Sequence, residues 1–119
     1  VNRRPSRLGE EIREEVARII GTELKDPRIG FVTVTRVELT ADLRLARVHV
    51  GILGGIENRK KTLEGLDQAA GFVRREVGRR IRVRHIPEIA FVYDEGLDAT
   101  ERVGRLLDAG RPADEGDED

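Results

Sequence analysis

Between Arg59 and Arg84 the chain carries nine basic side chains against three acidic ones (Glu64, Asp67 and Glu76), and most of the basic ones are arginine. A guanidinium is a planar fork that meets phosphate through two parallel hydrogen bonds, where an ammonium offers only a point charge. With residues 71–80 helical, Arg75 and Arg79 stand four apart on one face, with Arg74 beside them. Beyond Gly78 the run Arg80-Ile81-Arg82-Val83-Arg84 alternates charge with apolar side chains, so Arg82 and Arg84 project together from an extended segment. Arg44 and Arg47 extend the set from elsewhere in the chain. Such a constellation can neutralise several phosphates of a nucleic acid. Its bland counterpart is a solvated, solubilising face.

Bond-making chemistry has little to work with. There are two histidines (His49, His85), one serine (Ser6), one tyrosine (Tyr93) and no cysteine. Disulfides, thiolate metal sites and cysteine nucleophiles are therefore excluded. Ser6 stands where a helix cap is expected, and a triad is defined by geometry rather than by owning a serine. His49 alternates with core residues on a strand pattern and reads as exposed or half-buried. Two histidines and scattered carboxylates show no metal-ligand spacing, and no phosphate loop or dinucleotide glycine fingerprint is present. The chain reads as a non-enzyme without cofactor or metal.

The net charge of −1 hides a segregation. From Asp94 to Asp119 ten acids face three arginines, the opposite sign to the Arg59–Arg84 block. At 119 residues one domain is expected, over residues 1–109, with 110–119 a disordered acidic tail that lacks an apolar anchor. No run of apolar residues is long enough for a membrane span, and Arg3, Arg4 and Arg7 are followed by no secretory stretch. A cytoplasmic setting fits.

These side chains need elements to hold them. Leu8, Ile12, Val16, Ile19 and Leu24 recur at helical spacing, predicting a helix over 6–24 with Ser6 as N-cap; Pro27 ends it in the turn Asp26-Pro27-Arg28-Ile29-Gly30. A strand is expected over 31–40. Val32 and Val34 share one alternation phase and Val37 and Leu39 the other, which predicts a bulge near Thr35-Arg36. A short turn leads to a second, antiparallel strand over 43–52. Gly51-Ile52-Leu53-Gly54 fits Gly-x-x-Gly, the loop by which KH domains clamp a nucleic-acid backbone. Its middle residues are apolar and it ends a strand, so it reads as a strand terminus. Asn58 is the expected N-cap of a helical stretch over 59–80, which Gly65, Gly71 and Gly78 interrupt. A third strand is expected over 88–93, then a last helix from Asp94 or Glu95 through Leu107. Of four aromatic residues (Phe31, Phe72, Phe91, Tyr93) three fall at core positions, so no exposed base-stacking platform is expected. The element order makes an α+β domain natural, with a three-stranded mixed sheet and helices on one face.

Taken together, several stretches resemble the ribosome-binding factor A family: Asp26-Pro27-Arg28-Ile29-Gly30, Val37-Glu38-Leu39-Thr40-Ala41-Asp42-Leu43, Ala46-Arg47-Val48-His49-Val50, and Arg82 through Asp94 with its Pro87-Glu88. The resemblance covers about Arg4 to Leu107. It implies a type II KH-like fold, helix-strand-strand-helix-kink-helix-strand plus a C-terminal helix, in which an Ala-x-Gly kink replaces Gly-x-x-Gly; here the kink is Ala69-Ala70-Gly71. It further implies a monomeric, cytoplasmic assembly factor that binds the immature 30S subunit through 16S ribosomal RNA and serves late processing and growth at low temperature. A GTPase or initiation factor assisting release belongs to the same implication. The acidic tail departs from the family's more mixed tails. The expected RNA-binding residues are Arg44, Arg47, Arg74, Arg75, Arg79, Arg80, Arg82 and Arg84. The competing reading is a protein–protein interaction module whose arginines only solubilise.

Overall fold

The computed structural model describes residues 5–95, so the expected last helix and the acidic tail lie outside the described residues. The described elements are α1 (Pro5–Thr22), β1 (Val32–Leu39), β2 (Leu45–Ile52), α2 (Ile56–Arg80) and β3 (Glu88–Tyr93). The sheet order is β1-β2-β3, with β1 antiparallel and β3 parallel to the central β2. This is the mixed sheet that a helical crossover between β2 and β3 requires.

One face of the sheet carries the core. Ala46, Val48, Val50 and Ile52 alternate along β2 and are buried, joined by Val34 from β1 and Ile89 and Phe91 from β3. Leu8, Ile12, Val16 and Ile19 from α1 and Leu66, Val73 and Val77 from α2 close over them. α1 lies chiefly on β1 and α2 on β3. The bulge falls between Val34 and Arg36, as the phase slip requires. It lets Val34 pair with Val50 and Val37 with Val48, so both phases of β1 meet the same core. Thr35, the extra residue, places its hydroxyl 2.6 Å from Asp94 Oδ2 and 3.1 Å from the His49 carbonyl.

Three local expectations are corrected. His49 is buried rather than exposed: it sits on the central strand between Arg36 and Val92, and its Nε2 lies 3.2 Å from Glu38 Oε1. That hydrogen bond holds the Glu38 carboxyl below the usual carboxylate range, with Arg36 and Arg47 adding to it. Asn58 does not cap α2, which begins two residues earlier with Gly55 as N-cap; the Asn58 amide instead donates to the Leu53 carbonyl at 2.6 Å. Ser6 is already helical in α1. Gly54, at φ +119, turns the chain out of β2, with Asn58 too close for any Cβ.

The stretch over 59–80 is one element rather than two, because α2 keeps helical backbone through Ala69, Ala70 and Gly71. A Cβ at Gly71 would meet nothing nearer than Arg75 Nη1 at 3.7 Å. Close approach occurs instead at Gly65, where a Cβ would stand 2.8 Å from Ile29 Cγ1. The Asp26–Gly30 loop is docked there. Thr62, fully buried, donates to the Arg28 carbonyl and accepts the Gly30 N–H, both at 3.2 Å. Arg28 grips both oxygens of Asp26 and donates to Gln68 at 3.0 Å.

The two helical glycines should therefore respond oppositely to alanine. Gly71→Ala should stabilise by about 0.4–1 kcal/mol, the ordinary gain at a compatible site. Gly65→Ala should cost about 1–3 kcal/mol, because Ile29 is β-branched and cannot retreat without moving the loop. Denaturant unfolding of the pair checks this, and equal gains would contradict the docking geometry. The loop also has a pH signature. Arg28 side-chain and backbone hydrogen bonds lower the Asp26 pKa below its unfolded value. The resulting stability is complete above an unfolded value of about 3.9 and is lost as pH falls through the folded one. Asp26→Asn should melt earlier than the parent at pH 7, and the gap should close in acid below about pH 4.

Candidate nucleic-acid interface

The basic residues were grouped by sequence; the fold sorts them by partner. Arg74 turns back onto its own chain. Its Nε and Nη2 lie 3.2 and 2.8 Å from the Ile86 carbonyl, and Nε is also 3.2 Å from the Pro87 carbonyl. Gly78, one turn along the same helix face, lets Ile86 come within 3.1 Å of its Cβ position. Arg74 therefore fastens α2 to the segment that enters β3.

Arg80 is a second internal tie. Its guanidinium contacts Glu23 and stands 3.5 Å from Glu15 Oε1 and 3.7 Å from Glu76 Oε1, joining the two helices. Burial opposes its charge, but the Glu23 and Glu15 carboxylates more than offset that, so its pKa is raised. Arg80 was expected on the binding face because it continues the alternation of Arg82 and Arg84. Glu76 is visible in the spacing of 71–84, but Glu15 on α1 and Glu23 just after it are not.

The remaining residues stay outward. Arg75 is exposed and, among the described residues, has no carboxylate in ion-pair range; its guanidinium lies along the bare flank of Gly71. Arg79, one turn on, shares Glu76 at 3.4 Å with its side chain still 77% exposed. Arg82 and Arg84 are exposed in the loop before β3, with Val83 between them packed against the core, and neither has an ion pair among the described residues. Arg44 joins this end of the molecule because its carbonyl accepts the Glu88 N–H at 2.8 Å, at the start of β3. Asp42, two residues away, takes the Arg44 backbone N–H and offsets part of its charge. Arg47 is also exposed, but it pairs across the strands with Glu38 on the sheet face away from the helices.

Arg75, Arg79, Arg82 and Arg84 thus form the least compensated positive surface of the eight. It can hold polyanion by charge and guanidinium geometry. The docked Asp26–Gly30 loop was read from sequence only as a turn. Its signal, the Asp26–Arg28 pair, is visible there, but its partners Thr62, Gly65 and Gln68 are not.

Comparison with known proteins gives a consistent picture. The family model for Ribosome-binding factor A matches residues 4–107. A ribosome-binding factor A of Desulfitobacterium hafniense is 47% identical over 115 residues, 97% of this chain and 92% of the relative. The solution NMR structure of a Thermotoga maritima protein superposes with a TM-score of 0.68 at 41% identity, covering 76% of this chain and 86% of that one. Coordinates of a homology model of the Thermus thermophilus ribosome binding factor A, as fitted into the cryo-EM map of a 30S complex, match with a TM-score of 0.63 at 26% identity. They cover 76% of this chain and 96% of that one.

The sorting of arginines is open to measurement by thermal melts. Arg80→Met should lower the melting temperature, because Glu23, Glu15 and Glu76 are left facing one another. Arg75→Met should leave it within about a degree, as expected for a surface change that touches no such feature. Equal melts for both variants would mean that Arg80 is as dispensable to the fold as Arg75.

Proposed function

The chain belongs to the ribosome-binding factor A family, and from that premise we propose that it docks on the immature 30S subunit through 16S ribosomal RNA, as a non-catalytic maturation factor. One observation carries the proposal: Arg75, Arg79, Arg82 and Arg84 stand together at the C-terminal end of α2 and the loop after it, with Glu76 the only carboxylate in ion-pair range among the described residues. A Thermus thermophilus relative, fitted into a map of a 30S complex, supports the choice of partner.

In this reading the protein makes and breaks no bond. It holds a local RNA fold during late 16S processing, acts as a cytoplasmic monomer, matters most for growth at low temperature, and leaves with the help of a GTPase or initiation factor. Arg44 and Arg47 extend the contact from β2. Arg74 and Arg80 act mainly by holding α2 in place. Ala69, Ala70 and Gly71, helical in the free protein, are in this reading the point at which α2 bends on the RNA to aim the arginine row.

Cosedimentation with small subunits and titration of small-subunit RNA across salt test this. If about four to six phosphates are neutralised, log affinity falls against log salt with a slope of roughly −3 to −4. Reversing Arg75 and Arg79 to glutamate should weaken binding and flatten the slope by about 1.4 or more, with the melt unchanged. Gly71→Ala, run alongside, should bind more weakly despite its greater stability. A flat salt response in the parent would assign the chain to protein–protein recognition instead.

A further inference from the structure

Phe72, Phe91 and Tyr93 are the three aromatic residues that pack in or against the core, and Phe31 is the one left outside it. Its exposure is 69%, and Leu53 at 66% and Ile56 at 73% are the other large apolar side chains in solvent among the described residues. The three belong to one place. The Leu53 N–H donates to the Phe31 carbonyl at 3.2 Å, and Ile56 opens α2 three residues after Leu53.

The backbone under Phe31 is held on both sides. Gly30 before it donates to Thr62 in α2, and β1 begins immediately after it. Leu53 is fixed in turn by the Asn58 amide. A phenyl ring presented to water from a clamped backbone has little backbone freedom left to lose on binding, which lowers the cost of a contact there.

We propose that Phe31 is a stacking platform for one unpaired base of RNA, bordered by Leu53 and Ile56. This rests on the RNA-binding reading above and adds to it a second contact at the opposite end of α2 from the arginine face. The rim has the charge such an occupant needs. Lys60 lies one turn from Ile56 on the same helix face, next to Lys61, and neither lysine has an ion pair among the described residues. A ring flanked by cations suits a base and its adjoining phosphates. Size favours a base over a protein: three side chains offer roughly half of the ~800 Å² per partner that a stable protein interface buries.

The chain has no tryptophan, so Phe31→Trp introduces a single indole at the site. Its emission should be quenched by a single-stranded oligonucleotide from small-subunit RNA, and much less by the same sequence as a duplex. Phe31→Leu keeps an apolar side chain but removes the π face. It should bind single-stranded RNA at least about fivefold more weakly, the low end of the loss for one stacked base. Because no phosphate contact is lost, its salt slope should match the parent's, unlike that of the Arg75 and Arg79 reversals. RNA binding with a silent indole and an unaffected Phe31→Leu variant overturns the platform and leaves the functional reading standing. A Phe31→Leu variant that binds naked RNA normally but not whole subunits overturns it in favour of a protein contact. Absence of RNA binding by the parent at low salt sinks both.

Discussion

Thr62 takes the Gly30 N–H and returns its own hydrogen to the Arg28 carbonyl, and Ile29 rests where Gly65 has no side chain. These contacts join segments more than thirty residues apart and fix where the first half of α2 crosses the sheet. Much else follows from that placement. Thr62 is fully buried, so its hydroxyl would be costly to leave unpaired, and the loop carbonyl and N–H beside it satisfy it. With the loop fastened to α2, β1 enters the sheet from a set position and Phe31 is left on the outside of the clamp.

The far half of α2 is secured by different means. Arg74 ties it to the Ile86 and Pro87 carbonyls, and Arg80 ties it to Glu15 on α1 and to Glu23 just beyond that helix. Two of the block's arginines are thereby spent on architecture. Their neighbours one residue away, Arg75 and Arg79, point along another helix row and keep their charge toward solvent. The same short stretch of helix thus carries guanidiniums held by internal partners and guanidiniums left in solvent.

The sheet shows a similar economy. The bulge at Thr35 turns a strand with two alternation phases into one that faces a single core, while on the other face it sets Arg36 opposite His49. His49 is then enclosed on the central strand and hydrogen-bonded to Glu38.

The order of elements, the bulge, the mixed sheet and the apolar stripes were legible in the sequence, because each follows from periodicity and turn chemistry acting over a few residues. So was the positive block, since charge is counted along the chain. Which arginines remain available was not legible. Arg80 finds Glu23 across 57 residues, and nothing in the spacing of Arg79, Arg80 and Arg82 shows which of them reaches across to the first helix. The glycine that matters for close packing was equally hidden, for Gly65 and Gly71 look alike until Ile29 is laid against the first. Phe31 precedes β1 out of phase with Val32 and Val34, so alternation alone turns it from the core; that Leu53 and Ile56 are exposed at the same end is seen only in the fold. Pattern fixes what each segment becomes; the partners that segments meet across the fold decide which side chains are left for function.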